Sequence, residues 1–232
     1  MKKITILTGA GVSAESGIAT FRDSNGLWEN HRVEDVASPE GFARDPELVL
    51  SFYNQRRAQL HTVKPNIGHQ LIAALEGSYE VTVVTQNIDD LHERAGSTNI
   101  IHLHGELLKA RPAEGDGFII DWSGDINLGD TSDKGVQMRP HIVWFGEAVP
   151  EIENAARVVR TADLIMIIGT SMQVYPAAGL VGFADTTVPV IYIDPKPTIN
   201  HELKQRGNIH TIEMGGSEGM KVAEGLIKEL IG

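Results

Sequence analysis

The chain has 232 residues, 41% hydrophobic and 22% charged, with no cysteine and a formal charge of −11 from 20 basic and 31 acidic side chains. That length suits one large domain or one domain with a small inserted lobe, and the apolar content excludes a disordered chain. The lack of cysteine excludes disulfides, thiol nucleophiles and thiolate metal sites, and the charge argues against nucleic acid or anionic membrane as partners while leaving cationic partners open.

The opening Met1-Lys2-Lys3-Ile4-Thr5-Ile6-Leu7 starts like a secretory leader, but the apolar run stops at Gly9 and Glu15 follows. We therefore expect no leader, no membrane span and a cytoplasmic location. Short β-branched runs recur at residues 4–8, 81–85, 100–103, 142–145, 164–168 and 188–193. They are continuous rather than alternating, which predicts strands buried on both faces of a parallel sheet. Helical patterns lie at 46–60, 68–75, 88–95, 153–160, 177–184 and 219–230. Strand and helix in alternation predict an α/β fold with a doubly wound sheet. Residues 28–68 and 106–139 break the alternation. We expect them to build a small lobe from two insertions, about 31–69 and 106–144, beside a larger lobe of about 1–30, 70–105 and 145–232.

The first strand ends in Thr8-Gly9-Ala10-Gly11-Val12-Ser13-Ala14-Glu15-Ser16-Gly17. Glycines directly after a buried strand let backbone approach a pyrophosphate, and the following N–H groups favour its charge. This is the start of a Rossmann-like dinucleotide fingerprint, with its third glycine displaced. Gly17-Ile18-Ala19-Thr20-Phe21-Arg22-Asp23 then places an aromatic ring and a guanidinium after the loop. Gln86-Asn87-Ile88-Asp89, His102-Leu103-His104-Gly105 and Gly169-Thr170-Ser171 each follow an apolar run. Polar clusters at the carboxyl ends of several strands converge on one crevice in such sheets.

These segments carry a family resemblance. GAGVSAESGIATFR, TQNIDDLHERAG, HLHGEL, RPHIVWFGE and GTSMQVYPAA stand in order along the chain, and the chain resembles the sirtuins, NAD-dependent protein-lysine deacylases of bacterial type. The resemblance implies that Gly9, Ala10, Gly11 and Ser13 border the cofactor diphosphate. It places Phe21 and Arg22 over the nicotinamide ribose, and Gln86, Asn87, Ile88 and Asp89 at the nicotinamide end. Asn87 and Asp89 equally suit a helix start before Leu91. Gly169, Thr170 and Ser171 match the segment beside the phosphates and ribose. Asp194, Pro195 and Lys196 fall where the adenosine ribose is held. Asp194 stands where an Asn is common, and its carboxylate favours NAD over NADP. Gly216 matches a position near adenine.

Imidazole exchanges protons near neutral pH, and position alone leaves His102 and His104 open. The Leu-His-Gly match selects His104 as general base, and the resemblance gives Asn87 a catalytic role in positioning the ribose or a water. The implied reaction consumes NAD as co-substrate. The acyl oxygen of a modified lysine attacks the ribose carbon and nicotinamide leaves; a deprotonated ribose hydroxyl then attacks the O-alkylamidate carbon, and water finishes the cycle, giving free lysine and O-acyl-ADP-ribose. Acyl-lysine proteins are the implied partners, with a peptide strand added along residues 141–147 and the lysine stem walled by Val143 and Phe145. Tyr53 and Arg56 lie three apart on a helix. They resemble the pair of sirtuins that remove succinyl or malonyl groups, with Ala37 leaving room for the acyl chain.

One departure stands out. Most sirtuins hold a structural zinc with two Cys-x-x-Cys pairs, and this chain has no cysteine. Asp116, Asp121, Asp125, Asp130, Asp133 and His141 match no tetrahedral zinc spacing. We expect no zinc, with Phe118, Ile119, Ile120 and Trp122 forming an apolar cluster instead. Alternative readings are a mono-ADP-ribosyltransferase and a non-catalytic NAD or ADP-ribose binding module.

Overall fold

The structure is a computed structural model that describes residues 1–19, 27–28, 31–115 and 117–232. Strand β1 (Lys3–Thr8) runs into two 3-10 turns, Ala10–Val12 and Ala14–Ser16. Short strands β2 (Leu27–Trp28) and β3 (His31–Arg32) precede helices α1 (Val33–Val36), α2 (Pro39–Arg44) and α3 (Pro46–Leu60). Next come α4 (Ile67–Ala74), β4 (Glu80–Thr85), α5 (Leu91–Ala95) and β5 (Ile100–His102). Strands β6 (Gly105–Pro112), β7 (Ile120–Asp121) and β8 (Met138–Ile142) follow. The chain continues through α6 (Ile152–Arg160), β9 (Leu164–Ile168), β10 (Val190–Ile193), α7 (His201–Lys204), β11 (Ile209–Ile212) and α8 (Gly216–Ile231).

Six strands form one parallel sheet in the order β11-β10-β9-β1-β4-β5. The chain walks outward from β1 through β4 to β5, then returns to β9 and walks the other way. The order reverses between β1 and β9, and open α/β sheets bind ligands at that crevice. Side chains alternate across the sheet. Ile165 and Ile167 of β9 join a core with Val159, Leu180 and Tyr192. Leu164, Met166 and Ile168 join another with Ile6, Met220 and Ile227. Both faces are therefore buried, which explains the continuous apolar runs.

The two insertions lie between β1 and β4 and between β5 and β9. The second folds into an antiparallel sheet in the order β7-β6-β8. Helix α3 starts where Asp45 accepts the Leu48 N–H and Pro46 takes the first turn. Its apolar face meets Val36, Leu107, Ile142 and Trp144. A smaller cluster joins Leu50, Ala110, Ile126 and Met138, with Ile120 and Trp122 packed on it. Phe118 and Ile119 stand 52% and 50% exposed instead, so the expected four-residue cluster is corrected to its last two members.

Polar side chains brace this insertion. Asn54 donates to Ile126 O at 2.9 Å and accepts the Ile126 N–H at 2.9 Å, copying a strand pairing. Gln137 accepts from Gly129 N and donates to the carbonyls of Asn127, Asp130 and Met138. Other expectations shift locally. The run at 142–145 ends as a strand at Ile142, because Glu147 accepts the Trp144 N–H at 2.8 Å and Gly146 turns with φ +91°. The helix expected from 88 starts at Leu91, whose N–H is taken by Asp89 Oδ1. The segment Ala177–Phe183 is 3-10 rather than α-helical. No helix among the described residues is long and apolar enough to cross a membrane.

Candidate functional site

The loops after β1 and β9 touch through their backbones at the reversal point. Gly11 N–H donates to Gly169 O at 2.8 Å, and a Cβ on Gly11 would lie 2.7 Å from Gly169 Cα. Gly169 has φ +64°, a left-handed conformation that favours glycine. Gly9 N–H donates to Ile168 O at 3.1 Å. These glycines are needed because each loop's backbone fills the space a Cβ would take on the other. The two loops therefore pack backbone to backbone at the carboxyl ends of two strands, the place where open α/β sheets bind a dinucleotide diphosphate.

Behind it lies a buried polar network. Ser13 is fully buried, and its hydroxyl donates to Asp89 Oδ2 at 3.0 Å. Asn87 Nδ2 donates to Ser13 Oγ at 3.1 Å. Asn66 N–H donates to His69 Nδ1 in a capping box, so the proton of neutral His69 sits on Nε2, 3.4 Å from Ser13 Oγ. His92 pairs with Thr8 Oγ1 at 3.1 Å, and its ring meets that of His69 at 4.9 Å. Burial lowers His69 to about 4, against the Glu15 charge, and lowers His92 to about 3, helped by His69 and His102. Burial raises the Asp89 carboxyl, against its bonds from Leu91 and Ser13. No catalytic or metal-ligand spacing in the sequence singles out His69 or His92. The one available signal was Asn66 three residues before His69, a helix-start pattern.

Gln86 binds two site groups at once. Its side chain donates to Thr170 Oγ1 at 3.1 Å, and its carbonyl accepts from His104 Nδ1 at 3.0 Å. With Nδ1 donating, the neutral imidazole keeps its lone pair on Nε2. Burial holds His104 below the usual imidazole range, partly offset by the Gln86 bond. His102 has a different neighbourhood. It sits 2.6 Å from Glu93 Oε1; burial works to lower its pKa, but the Glu93 bond and charge outweigh burial and raise it. Glu93, His102 and Glu106 bring three possible ligand atoms within 4.8 Å of one another. The Lys109 ammonium, 2.9 Å from Glu106, already supplies positive charge there.

At the other end of the crevice, Asp194 is buried and accepts the Lys196 N–H at 2.8 Å across Pro195. Thr170 is buried and Ser171 half-buried. Gly216 opens α8 beside Val12, and Glu15 accepts the Ser217 N–H at 3.1 Å, capping that helix end.

The residues expected to hold the acyl group gather around α3. Ala37 and Tyr53 are buried in one cluster with Trp144. The Trp144 indole N–H donates to the Tyr53 hydroxyl at 3.0 Å. Arg56 lies over the Phe52 ring at 3.8 Å and lines a cavity of about 50 Å3 with Asp89, Ile88, Trp28 and Ile18. That cavity lies between the loop carrying Asp89 and helix α3 carrying Arg56. Val143 N–H donates to His104 O and Phe145 N–H to Ala37 O, while Trp144 N–H goes to Glu147. All three N–H groups of this edge are used internally. Phe145 is half exposed. Arg139 grips both oxygens of Glu147 at 2.8 and 2.9 Å and stacks 3.2 Å over Trp144. A wider groove of about 600 Å3 between α3 and residues 125–128 carries none of the expected site residues. Phe21, Arg22 and Asp116 lie outside the described residues.

The geometry agrees with what the chain is similar to. A family model described as the Sir2 family matches residues 9–176. A curated NAD-dependent protein deacylase of Bacteroides thetaiotaomicron is 52% identical over 233 residues, covering 98% of each chain. One of Helicobacter pylori is 54% identical over 201 residues, covering 87% of this chain and 88% of its own. A solved Sir2 homologue–NAD complex is 40% identical with a TM-score of 0.85, covering 99% of this chain and 91% of that one. Glycine loops packed together at a strand-order reversal, an imidazole held through one nitrogen and this likeness along nearly the whole chain lead to one conclusion: the chain belongs to the Sir2 family.

Proposed function

We propose that the protein is an NAD-dependent protein-lysine deacylase that removes acetyl and also succinyl or malonyl groups from lysine. One observation carries this reading. His104 Nδ1 is committed to the Gln86 carbonyl, and its Nε2 is left as a base in the crevice. A module that only binds nucleotide needs no such base.

NAD, when bound, supplies the ribose carbon that takes the acyl oxygen and the nicotinamide that leaves. The protein's own groups do the rest. Gly9, Ala10, Gly11, Gly169, Thr170 and Ser171 border the diphosphate and nearby ribose. Asp194, Pro195 and Lys196 take the adenosine ribose, and Gly216 lies by adenine. Asp89 accepts the carboxamide NH₂, with Ser13 fixing one of its oxygens. Gln86, Asn87 and Ile88 line the same end, and the family resemblance assigns Phe21 and Arg22 to it as well. His104 Nε2 removes a ribose hydroxyl proton, which prepares that oxygen to take the acyl group. Val143 and Phe145 flank the lysine stem, while Ala37, Tyr53 and Arg56 receive the acyl end. Residues 31–69 and 106–144 act as the small lobe, with acyl-lysine lying between it and the large sheet.

The test is a panel of acetyl-, succinyl- and malonyl-lysine peptides, with and without NAD, with mass detection of products. Free lysine peptide together with O-acyl-ADP-ribose supports the reading. Covalent ADP-ribose on protein would instead favour a mono-ADP-ribosyltransferase.

A further inference from the structure

We propose that Tyr192 is a positioning residue for the dinucleotide, a crossbar that sets the spacing of the two loops gripping its halves. The inference rests on the NAD reading of the crevice. Tyr192 sits in the middle of β10 and is wholly buried. Its neighbours in that strand are all apolar, so packing alone does not call for a hydroxyl. The hydroxyl donates to Thr170 O at 2.8 Å and accepts the Thr198 N–H at 3.1 Å. Thr170 belongs to the loop after β9, beside the phosphates. Thr198 belongs to the loop after β10, whose first residue is Asp194. One phenol oxygen thus bonds both loops close to the sheet, while farther out their continuations are joined by Asn200 Nδ2 to Ala178 O at 3.0 Å and by the Tyr175 hydroxyl to Glu202 at 2.9 Å.

The tie continues inward. Thr170 Oγ1 accepts from Gln86 Nε2 at 3.1 Å. Gly169 N–H donates to Ile193 O at 2.9 Å, so the two loops leave the sheet side by side. Tyr192 holds them together just beyond that point, at Thr170 and Thr198. A ligand that touches both loops gains from spacing set in advance, because it need not order them itself. A ligand that touches one loop gains little. Tyr192 touches no cofactor atom in this account, and it acts through Thr170 and the 194–198 loop.

The experiment compares wild type with Tyr192→Phe, which keeps the ring and removes only the oxygen. Affinities for ADP-ribose, which spans both loops, and for adenosine, which reaches only the 194–198 side, are measured by calorimetry or competition. The crossbar predicts an ADP-ribose Kd raised by about fivefold. It predicts an adenosine Kd changed by less than about twofold and an acyl-peptide KM that holds. Equal weakening of both ligands, or an unmoved ADP-ribose Kd, overturns the proposal. Amide exchange in the wild-type protein tests it without any variant. Saturating ADP-ribose slows exchange of the Thr198 N–H more than saturating adenosine does, and equal protection overturns the proposal. Wild-type protein that binds no ADP-ribose would overturn the NAD reading itself.

Discussion

The Ser13 hydroxyl donates to Asp89 Oδ2 across 3.0 Å, joining the loop after β1 to the loop after β4. Ser13 has one proton, and its oxygen already receives the Asn87 amide. Asp89 is therefore presented in a single orientation. In Ser13→Ala, the Asn87 amide and one Asp89 oxygen lose a buried partner. We expect a loss of about 1–3 kcal/mol in stability. Nicotinamide release should slow by about 10- to 100-fold as Asp89 and Asn87 lose their positions. Denaturant unfolding and a nicotinamide assay check both; an unslowed release would remove Asp89 from the site.

Acid should destabilise the protein early. His69 and His92 are held neutral at about 4 and about 3, and in the unfolded chain they take protons below about 6.5. Between those values the unfolded state binds more protons. Stability is present above about pH 6.5 and is lost as pH falls toward the folded values. Each histidine contributes a slope of up to about 1.4 kcal/mol per pH unit. Asp89, raised by burial, takes a proton in the folded state and offsets part of this. Unfolding followed from pH 7 to 4 should fall steadily, and His92→Gln should flatten the fall. An identical slope in that variant would contradict the assignment.

Arg56 should select the acyl group. A guanidinium fork suits a carboxylate, and an acetyl group offers none. In Arg56→Met the ratio of desuccinylation to deacetylation, as kcat/KM, should drop at least about tenfold. Equal losses of both activities would place Arg56 in scaffolding alone.

The second insertion should hold without metal. Asn54→Ala breaks both bonds to Ile126 and one from Arg57. At about 2–3 kcal/mol for those bonds, Tm should fall by about 5–10 °C. A chelator should leave wild-type Tm and activity in place. One tightly held zinc per chain by metal analysis would contradict this.

The parallel sheet was legible because its strands are covered on both faces, which writes them as unbroken apolar runs. Strand β11 was not. Its residues Ile209, His210, Thr211 and Ile212 sit at the sheet edge and only Ile212 is buried, so no run marks it. The 143–145 stretch misled in the other direction. Its apolar side chains pack like a strand, but the Glu147 carboxylate takes the Trp144 N–H and ends the pairing. At the site, local motifs placed the glycines, Gln86, Asn87, Asp89 and His104 around one crevice. What the sequence could not carry were partners distant along the chain. His69 with Ser13 and Tyr192 with Thr170 meet only through folding, and isolated His or Tyr residues leave no spacing pattern.

In the deacylase, His104 should work as a base through Nε2 while the Gln86 carbonyl holds Nδ1. The most direct test is NAD-dependent release of lysine peptide by wild type and His104→Ala across pH 5 to 8. Activity should require the neutral ring. For wild type, the acid limb of kcat/KM should then have its midpoint below the ordinary value of about 6.5, because burial lowers the His104 pKa. In the variant, turnover should fall at least about 100-fold and that limb should vanish. Turnover that persists undiminished in His104→Ala, with the same limb, would contradict the account.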